Sequence, residues 1–491
     1  MVIKSMGLKE EKSRLIILTD MENEPDDSQT MVRLLMYANE VDIEGLIAVT
    51  SCHLPELVFP ESIAVRVQAY GIVRKNLVRH APGWPTEEYL MERVAGGQRG
   101  YGMKAVGDGK SSPGSERIIS AVDADDPRPI WIAINAGANT LAQALWDVRR
   151  TRSPEEVRRF VEKLRVYDDS GQDDAGAWIC SQFPDIFYIR SRYQVFGLYG
   201  PMESAGPQVT SPLDHYDWAE LNVRTRHGIL GALYPQRQFK NGKNAFLEGG
   251  GTTTWLALVN KGLAVPEQIS WGGWGGRFSW KKEKVPAGQA LVTGLEDRYG
   301  DYWMYPQAAD DSFEWQDSDF DNEFSGLGDG TKFDWHYFAP VWRWRQDTLN
   351  DFKARMDWCV TDYQHANHPP IINLFGDENR VPMYLSAQAG ETFDLDASLS
   401  RDPDDKFRVF GDMGYSAPPE SISFRWYSYP EAGTYAGPVT IEGENKPVAR
   451  FTVPADAEGT QIHLILEVSD HDGDAPLKSY RRIVIDVEDR P

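Results

Sequence analysis

Residues 14–31, RLIILTDMENEPDDSQTM, decide the reading of this chain. Leu15, Ile16, Ile17 and Leu18 form a short unbroken apolar run, which reads as a strand buried on both faces. Asp20, Glu22, Glu24, Asp26 and Asp27 follow with no spacer. QTMVRLLMYANE then sets Met31, Leu34, Leu35 and Ala38 on one side of a helix. Strand, acidic turn and helix predict an α/β sheet whose first strand ends in five carboxylates, and ligands of such sheets bind at strand ends. Carboxylates crowded into one turn repel one another, and a helix N-terminus offsets only part of that. A divalent cation would offset more, and hard oxygen ligands suit calcium, with magnesium second. Acidic residues also serve as ordinary helix starts, and Pro25 with Asp26 and Asp27 makes a good first turn. The count of five favours a site.

The rest of the composition bounds the answer. A chain of 491 residues exceeds what one core usually holds, so more than one domain is expected. The net charge of -23 counts against nucleic acid and an anionic membrane surface as partners. No apolar run approaches the ~18–20 residues that cross a bilayer. The opening MVIKSMGLKEEKSR has no apolar core of a leader, so the chain as written is expected in the cytoplasm, or secreted or periplasmic if a leader was removed. Cys52, Cys180 and Cys359 are odd in number and far apart, which argues for buried thiols and against a disulfide framework. A homo-oligomer is left open.

Outward from the acidic turn, residues 43–50 predict a second strand, parallel to the first across a βαβ unit and ending at Ser51, Cys52 and His53. A helix is expected over 60–73, and the Gly- and Pro-rich residues 80–116 read as loops around the site. Residues 130–134 form a strand, residues 135–139 a turn, and Asn139 a cap for the next helix. Ser153 caps a helix with Glu155 and Glu156 in its first turn. Residues 164–167 predict a strand followed by Asp168, Asp169, Gln172, Asp173 and Asp174, so acid again gathers at a strand end. Acidic and amide side chains can accept from neighbouring sugar hydroxyls, and a solvated loop is the other reading. In WGGWGGRF, residues 271–278, tryptophans read mainly as core, with one or two, Trp274 among them, lining the mouth of the site. A helix over 341–363 closes the first domain, and Pro369 and Pro370 stiffen a linker. After it, period-2 segments such as QIHLILEVSD and YRRIVIDVED predict an immunoglobulin-like β-sandwich. The expected domains are 12–365, a linker 366–373, and 374–491.

The segment Asp20-Met21-Glu22-Asn23-Glu24-Pro25-Asp26-Asp27 resembles the nucleoside hydrolase signature, Asp-x-Asp-Pro-Gly-x-Asp-Asp straight after the first strand. Glu22 stands for the second aspartate and Glu24 for the glycine, so one carboxylate moves outward by a methylene. Over nearly its whole length the chain is similar to a bacterial and fungal cellulose-binding-protein family, with a nucleoside-hydrolase-like domain followed by a β-sandwich. The resemblance implies an α/β fold with an open, mostly parallel sheet and helices on both faces, plus the all-β sandwich. It implies a Ca2+ ion on Asp20, Glu22, Asp27, the carbonyl of Asn135 and Glu248, where Glu248 takes an aspartate's part and Leu247 replaces a histidine. Cys52 stands where the family has a substrate-contacting asparagine, and His53 beside it is a candidate donor to the leaving group. Gln172, Asp173 and Asp174 match a loop that binds sugar hydroxyls, and Asp26, Asn139 and Trp274 complete the expected substrate set. The implied activity is metal-dependent hydrolysis of a glycosidic bond in a small glycoside or oligosaccharide, with Glu22 taking the proton of the attacking water. A non-catalytic carbohydrate-binding protein on the same scaffold is the alternative. No GxSxG turn and no GxGxxG after a strand is present, which counts against a serine nucleophile and a dinucleotide cofactor.

Overall fold

A computed structural model describes residues 1–4, 10–191, 194–198, 218–238, 244–245, 249–285, 299, 301–312, 337–405, 421–471 and 475–489. Strand β1 (Val2–Ile3) is followed by β2 (Arg14–Thr19), all six of whose residues are buried, as an unbroken apolar run requires. Helix α1 (Pro25–Leu35) has Pro25, Asp26 and Asp27 in its first turn and leads to β3 (Asp42–Ala48), α2 (Pro60–His80), α3 (Glu87–Met91) and β4 (Val94–Gly96). The alternation continues through α4 (Pro113–Asp123), β5 (Ile130–Ile134), α5 (Asn139–Thr151), α6 (Pro154–Glu162), β6 (Leu164–Asp169), α7 (Ala175–Gln182) and β7 (Phe187–Ser191). After α8 (Gly228–Ala232) come the paired β8 (Arg237–Gln238) and β9 (Asn244–Ala245), then α9 (Gly249–Leu256), β10 (Glu283–Val285), β11 (Tyr302–Pro306) and α10 (Ala339–Asp357).

The strands form an eight-stranded sheet in the order β10-β11-β7-β6-β5-β2-β3-β4, parallel except for β10 at one edge. From β2 the chain proceeds to its neighbour β3 on one side, and from β5 to β6 on the other. The connections therefore diverge between β2 and β5, and the carboxyl ends of strands at such a point are where open α/β sheets bind ligands. The acidic turn lies there because it is the turn that leaves β2.

The second half contains β12 (Met383–Gln388), β13 (Thr392–Asp396), β14 (Ile422–Ser428), β15 (Ile441–Glu442), β16 (Val448–Thr452), β17 (Gln461–Asp470) and β18 (Lys478–Glu488). Sheets β1-β12-β18-β17-β14 and β13-β16-β15 enclose Leu385, Trp426, Phe451, Leu464, Leu466 and Ile483 in a β-sandwich. Two features differ from the sequence pattern. Strand β12 runs parallel to β18, and β1 from the start of the chain pairs with β12, Val2 opposite Ser386. Helix α2 also runs on to His80 past residue 73, because Leu77 continues its buried face. Residues 80–116 contain α3, β4 and the start of α4 as well as loops.

The two halves share one core: Trp271, Trp255 and Trp344 pack with Tyr429, Ile465 and Tyr480 of the sandwich. The backbone NH groups of Tyr480 and Arg482 donate to the carbonyls of Lys261 and Gly262. Gly262 is in the left-handed region, φ +87°, and a Cβ there would lie 1.8 Å from the Tyr480 carbonyl oxygen, so only glycine allows the approach. The expected linker is packed: the His368 ring meets Asp404 at 2.8 Å and His80 at 2.9 Å. Among the described residues no helix is long and apolar enough to cross a membrane.

Candidate functional site

Asp20, Asp26 and Asp27 are buried at the end of β2, and Asp169, the last residue of β6, is buried with them. Hydroxyls at neighbouring strand ends hold the set. Thr19 Oγ1 donates to Asp27, and Ser51 Oγ, at the end of β3, donates to Asp20 while accepting from the NH groups of His53 and Leu54 at 3.0 Å. Asp20 and Asp27 lie close enough for each to act on the other's carboxyl. Burial, then Asp20 and Glu24, push Asp26 up to about 7. Burial, then Asp20 and Asp26, raise Asp27 well above the usual carboxylate range. Asp169 is raised in the same way, by burial and by Asp168, Asp26 and Asp20, despite a hydrogen bond from Ser170. Among the described residues no lysine or arginine is paired with any of the four. Buried anions lacking a counter-charge take up protons or a cation.

Glu22 does not join this group. Its backbone is left-handed, φ +75°, its side chain is 48% exposed, and its carboxylate accepts from Ser62 Oγ and lies 3.6 Å from Arg66 Nη1 on α2. The Asn135 carbonyl lies at the end of β5 and accepts from Gln172 Nε2 at 2.8 Å. The Asn135 side chain accepts from Thr254 at 2.9 Å, and Gly251 in α9 presses on it so closely that a Cβ would lie 2.1 Å from its Cγ. Glu248 and Leu247, which precede α9, lie outside the described residues.

The remaining candidates divide into rim and brace. His53 is exposed, and its charge acts on Asp20. Asp173 accepts from the NH groups of Asn139 and Ala175, and burial pushes it up to about 7. Asp174 accepts from the NH of Met103. Asn139 is the first residue of α5, with Ala138 in the capping position, and its amide donates to Thr50 Oγ1 and to the Gly100 carbonyl, both at 2.9 Å. These three side chains tie together the loops at the ends of β3, β5 and β6. Trp274, expected at the mouth, is 2% exposed within the shared core, with the Lys261 ammonium 5.6 Å from its ring centroid. Residues absent from the expected set are Asp169, Ser51, Ser62 and Arg66. Asp169 had a signal, an acid at a strand end, whereas the other three meet the turn from 31 to 44 residues away and leave no local mark.

Among the described residues no group of three or more His, Cys, Asp or Glu side chains makes a ready-made metal centre. The donor chemistry nevertheless suits a hard cation, since the buried set consists of carboxylates and a carbonyl with no nitrogen or sulfur among them.

A family model described as "Cellulose-binding Sde182, nucleoside hydrolase-like domain" matches residues 14–278, and one described as "Cellulose-binding protein Sde0182, C-terminal domain" matches residues 392–487. A solved structure from Saccharophagus degradans, a nucleoside hydrolase-related hypothetical protein associated with carbohydrate metabolism, is 38% identical. The alignment covers 97% of this chain and 100% of that one, with a TM-score of 0.78. No curated protein matches the chain. By the extent of these matches, the chain belongs to the cellulose-binding Sde182 family, with its nucleoside hydrolase-like domain and its C-terminal domain.

Proposed function

We propose that this protein is a cation-dependent hydrolase of a glycosidic bond, acting at the carboxyl ends of β2, β5 and β6. The observation that carries this reading is the burial of Asp20, Asp26, Asp27 and Asp169 together with no paired lysine or arginine among the described residues. Asp20, Asp27, Asp169 and the Asn135 carbonyl would hold the ion, calcium by donor type, with Glu248 as the further ligand that the family resemblance implies. A bound divalent cation would polarise water and sugar hydroxyls. Asp26 is suited to accept from a sugar hydroxyl. Glu22, exposed at the rim, takes the proton of the attacking water, and His53 beside Asp20 gives one to the leaving group. The buried carboxylates stabilise the positive charge that develops at the anomeric carbon. Calorimetric titration of purified protein with Ca2+ and Mg2+, and reducing-sugar release from nucleosides and oligosaccharides, test this. Cation-dependent release lost in Asp27→Ala is expected; identical behaviour of the two proteins would end the reading.

A separate observation favours carbohydrate binding without catalysis. Trp280 and Trp303 are 45% and 47% exposed near the sheet edge. The Trp280 ring lies 6.1 Å from Tyr305, which shares one face of β11 with Trp303. Exposed aromatic faces stack on the apolar faces of sugars, and the family description refers to cellulose. Retention on cellulose that is lost in Trp280→Ala/Trp303→Ala and unchanged in Asp27→Ala, with no hydrolysis by any form, would select this reading.

A further inference from the structure

Asp20, Asp26 and Asp27 turn into the protein, while Glu22 reaches the other way to helix α2. Ser62 and Arg66 are one helical turn apart and both buried. Arg66 Nη1 donates to the Ser62 carbonyl at 3.0 Å and to Ser62 Oγ at 2.6 Å, and Ser62 Oγ donates in turn to Glu22. Arg66 Nη1 lies 3.6 Å from the same Glu22 oxygen. The chain of donors thus ends on one carboxylate, which is held on a left-handed backbone that non-glycine residues avoid.

We propose that Ser62 and Arg66 are positioning residues that clamp Glu22 at the rim and keep it out of the cation cluster. The clamp rests on the cation-dependent reading of the site and decides which of two tasks Glu22 performs. A carboxylate that swung inward would bring a fifth carboxyl group to Asp20, Asp26, Asp27 and Asp169, and would leave a buried guanidinium without its counter-ion. Both effects oppose the swing. A carboxylate clamped through Oε1 at the rim keeps Oε2 for an incoming water. Glutamate suits the task because its extra methylene lets a residue of the β2 turn reach α2.

Calorimetric titration of the full chain with Ca2+ tests the clamp through a double-mutant cycle. Glu22→Gln alone leaves affinity within about twofold of wild type, since the clamped side chain is not an ion ligand. Ser62→Ala/Arg66→Met frees Glu22 and raises affinity at least tenfold, and adding Glu22→Gln removes that gain. Arg66→Lys, which keeps the charge, returns affinity towards wild type. A tenfold loss in Glu22→Gln alone would overturn the clamp, because Glu22 would then already be a ligand. So would a gain that survives Glu22→Gln, which would mean that Arg66 acts only by repelling the ion. Ser62→Ala, which removes one hydroxyl, repeats the cycle if the Arg66 variant does not fold. Absence of binding by wild type and every variant would instead sink the cation-dependent reading itself.

Discussion

At the seam between the two halves, Asp351 lies 2.5 Å from Lys261 and 2.9 Å from Arg355, and Glu40 lies 2.9 Å from Arg355 and 3.1 Å from Arg380. At the end of β2, Asp20, Asp26, Asp27 and Asp169 are buried as deeply with no such partners among the described residues. Burial alone would raise every one of these acids. At the seam, Arg380, Arg355 and Lys261 overcome it and hold Glu40 down to about 2, and Lys261 and Arg355 hold Asp351 below the usual carboxylate range. At the turn, burial and mutual repulsion act in the same direction and raise the acids. Burial of charge by itself therefore does not mark a site. The lack of a lysine or arginine partner among the described residues is the feature that separates the turn from the seam, because an acid that serves only to join two elements is stable when paired.

The largest test of this contrast removes a paired acid. Asp351→Ala leaves Lys261 and Arg355 buried without their shared carboxylate, and a loss of about 3–5 kcal/mol in urea unfolding is expected. Because one core spans both halves, the loss should appear in a single transition that fluorescence and circular dichroism report alike.

Next in size is the pH response of the cation-free protein. The folded state binds the Asp26 proton more tightly than the unfolded chain does. Its contribution is therefore complete below 3.8 and is lost as pH rises towards about 7. That shift of roughly three units corresponds to at most about 4 kcal/mol. Wild type should lose stability over this window relative to Asp26→Asn, and added Ca2+ should restore it at the alkaline end. A flat difference between the two proteins across the window would mean that Asp26 is compensated after all.

A smaller effect, opposite in sign to the seam variant, is expected of Asp27→Asn. It removes a buried carboxyl that resists ionisation while keeping an acceptor for Thr19, so near neutral pH the cation-free protein gains about 1–2 kcal/mol and its response to Ca2+ disappears. The smallest effect is that of Glu155→Gln, which breaks an exposed pair with Arg159 and should leave the unfolding midpoint unchanged.

The acidic turn was legible in the sequence, whereas the paired acids of the seam left no signal there. The run 130–134 matches β5 residue for residue, and Ser153 caps α6 as expected, with Glu156 returning a hydrogen bond to it. The acidic turn falls at a strand end as its residues imply. Asp169 was visible as an acid near a strand end, but β6 carries two residues further than its apolar run, and that places the carboxylate in the cluster. The turn of Glu22 towards α2 was hidden, because Ser62 and Arg66 are ordinary residues of an amphipathic helix until a partner forty residues away meets them. Trp274 was misleading for a related reason: its glycine-rich setting resembles an open wall, yet those glycines let backbone segments pack closely. Gly275, for example, has room for no Cβ beside Ala257.

The amino-acid sequence alone determined the alternation of strands and helices, the change to period-2 strands in the last quarter and the placing of five acids after the first strand. Each follows from side-chain periodicity and turn chemistry among neighbours in the chain. Only the tertiary structure decided which of those acids lie together without a lysine or arginine partner among the described residues, that β1 completes a sheet nearly four hundred residues away, and that the two halves share one core. Those outcomes depend on which distant groups meet once the chain is packed, and a pairing of single residues across such a separation leaves no periodic trace in either segment.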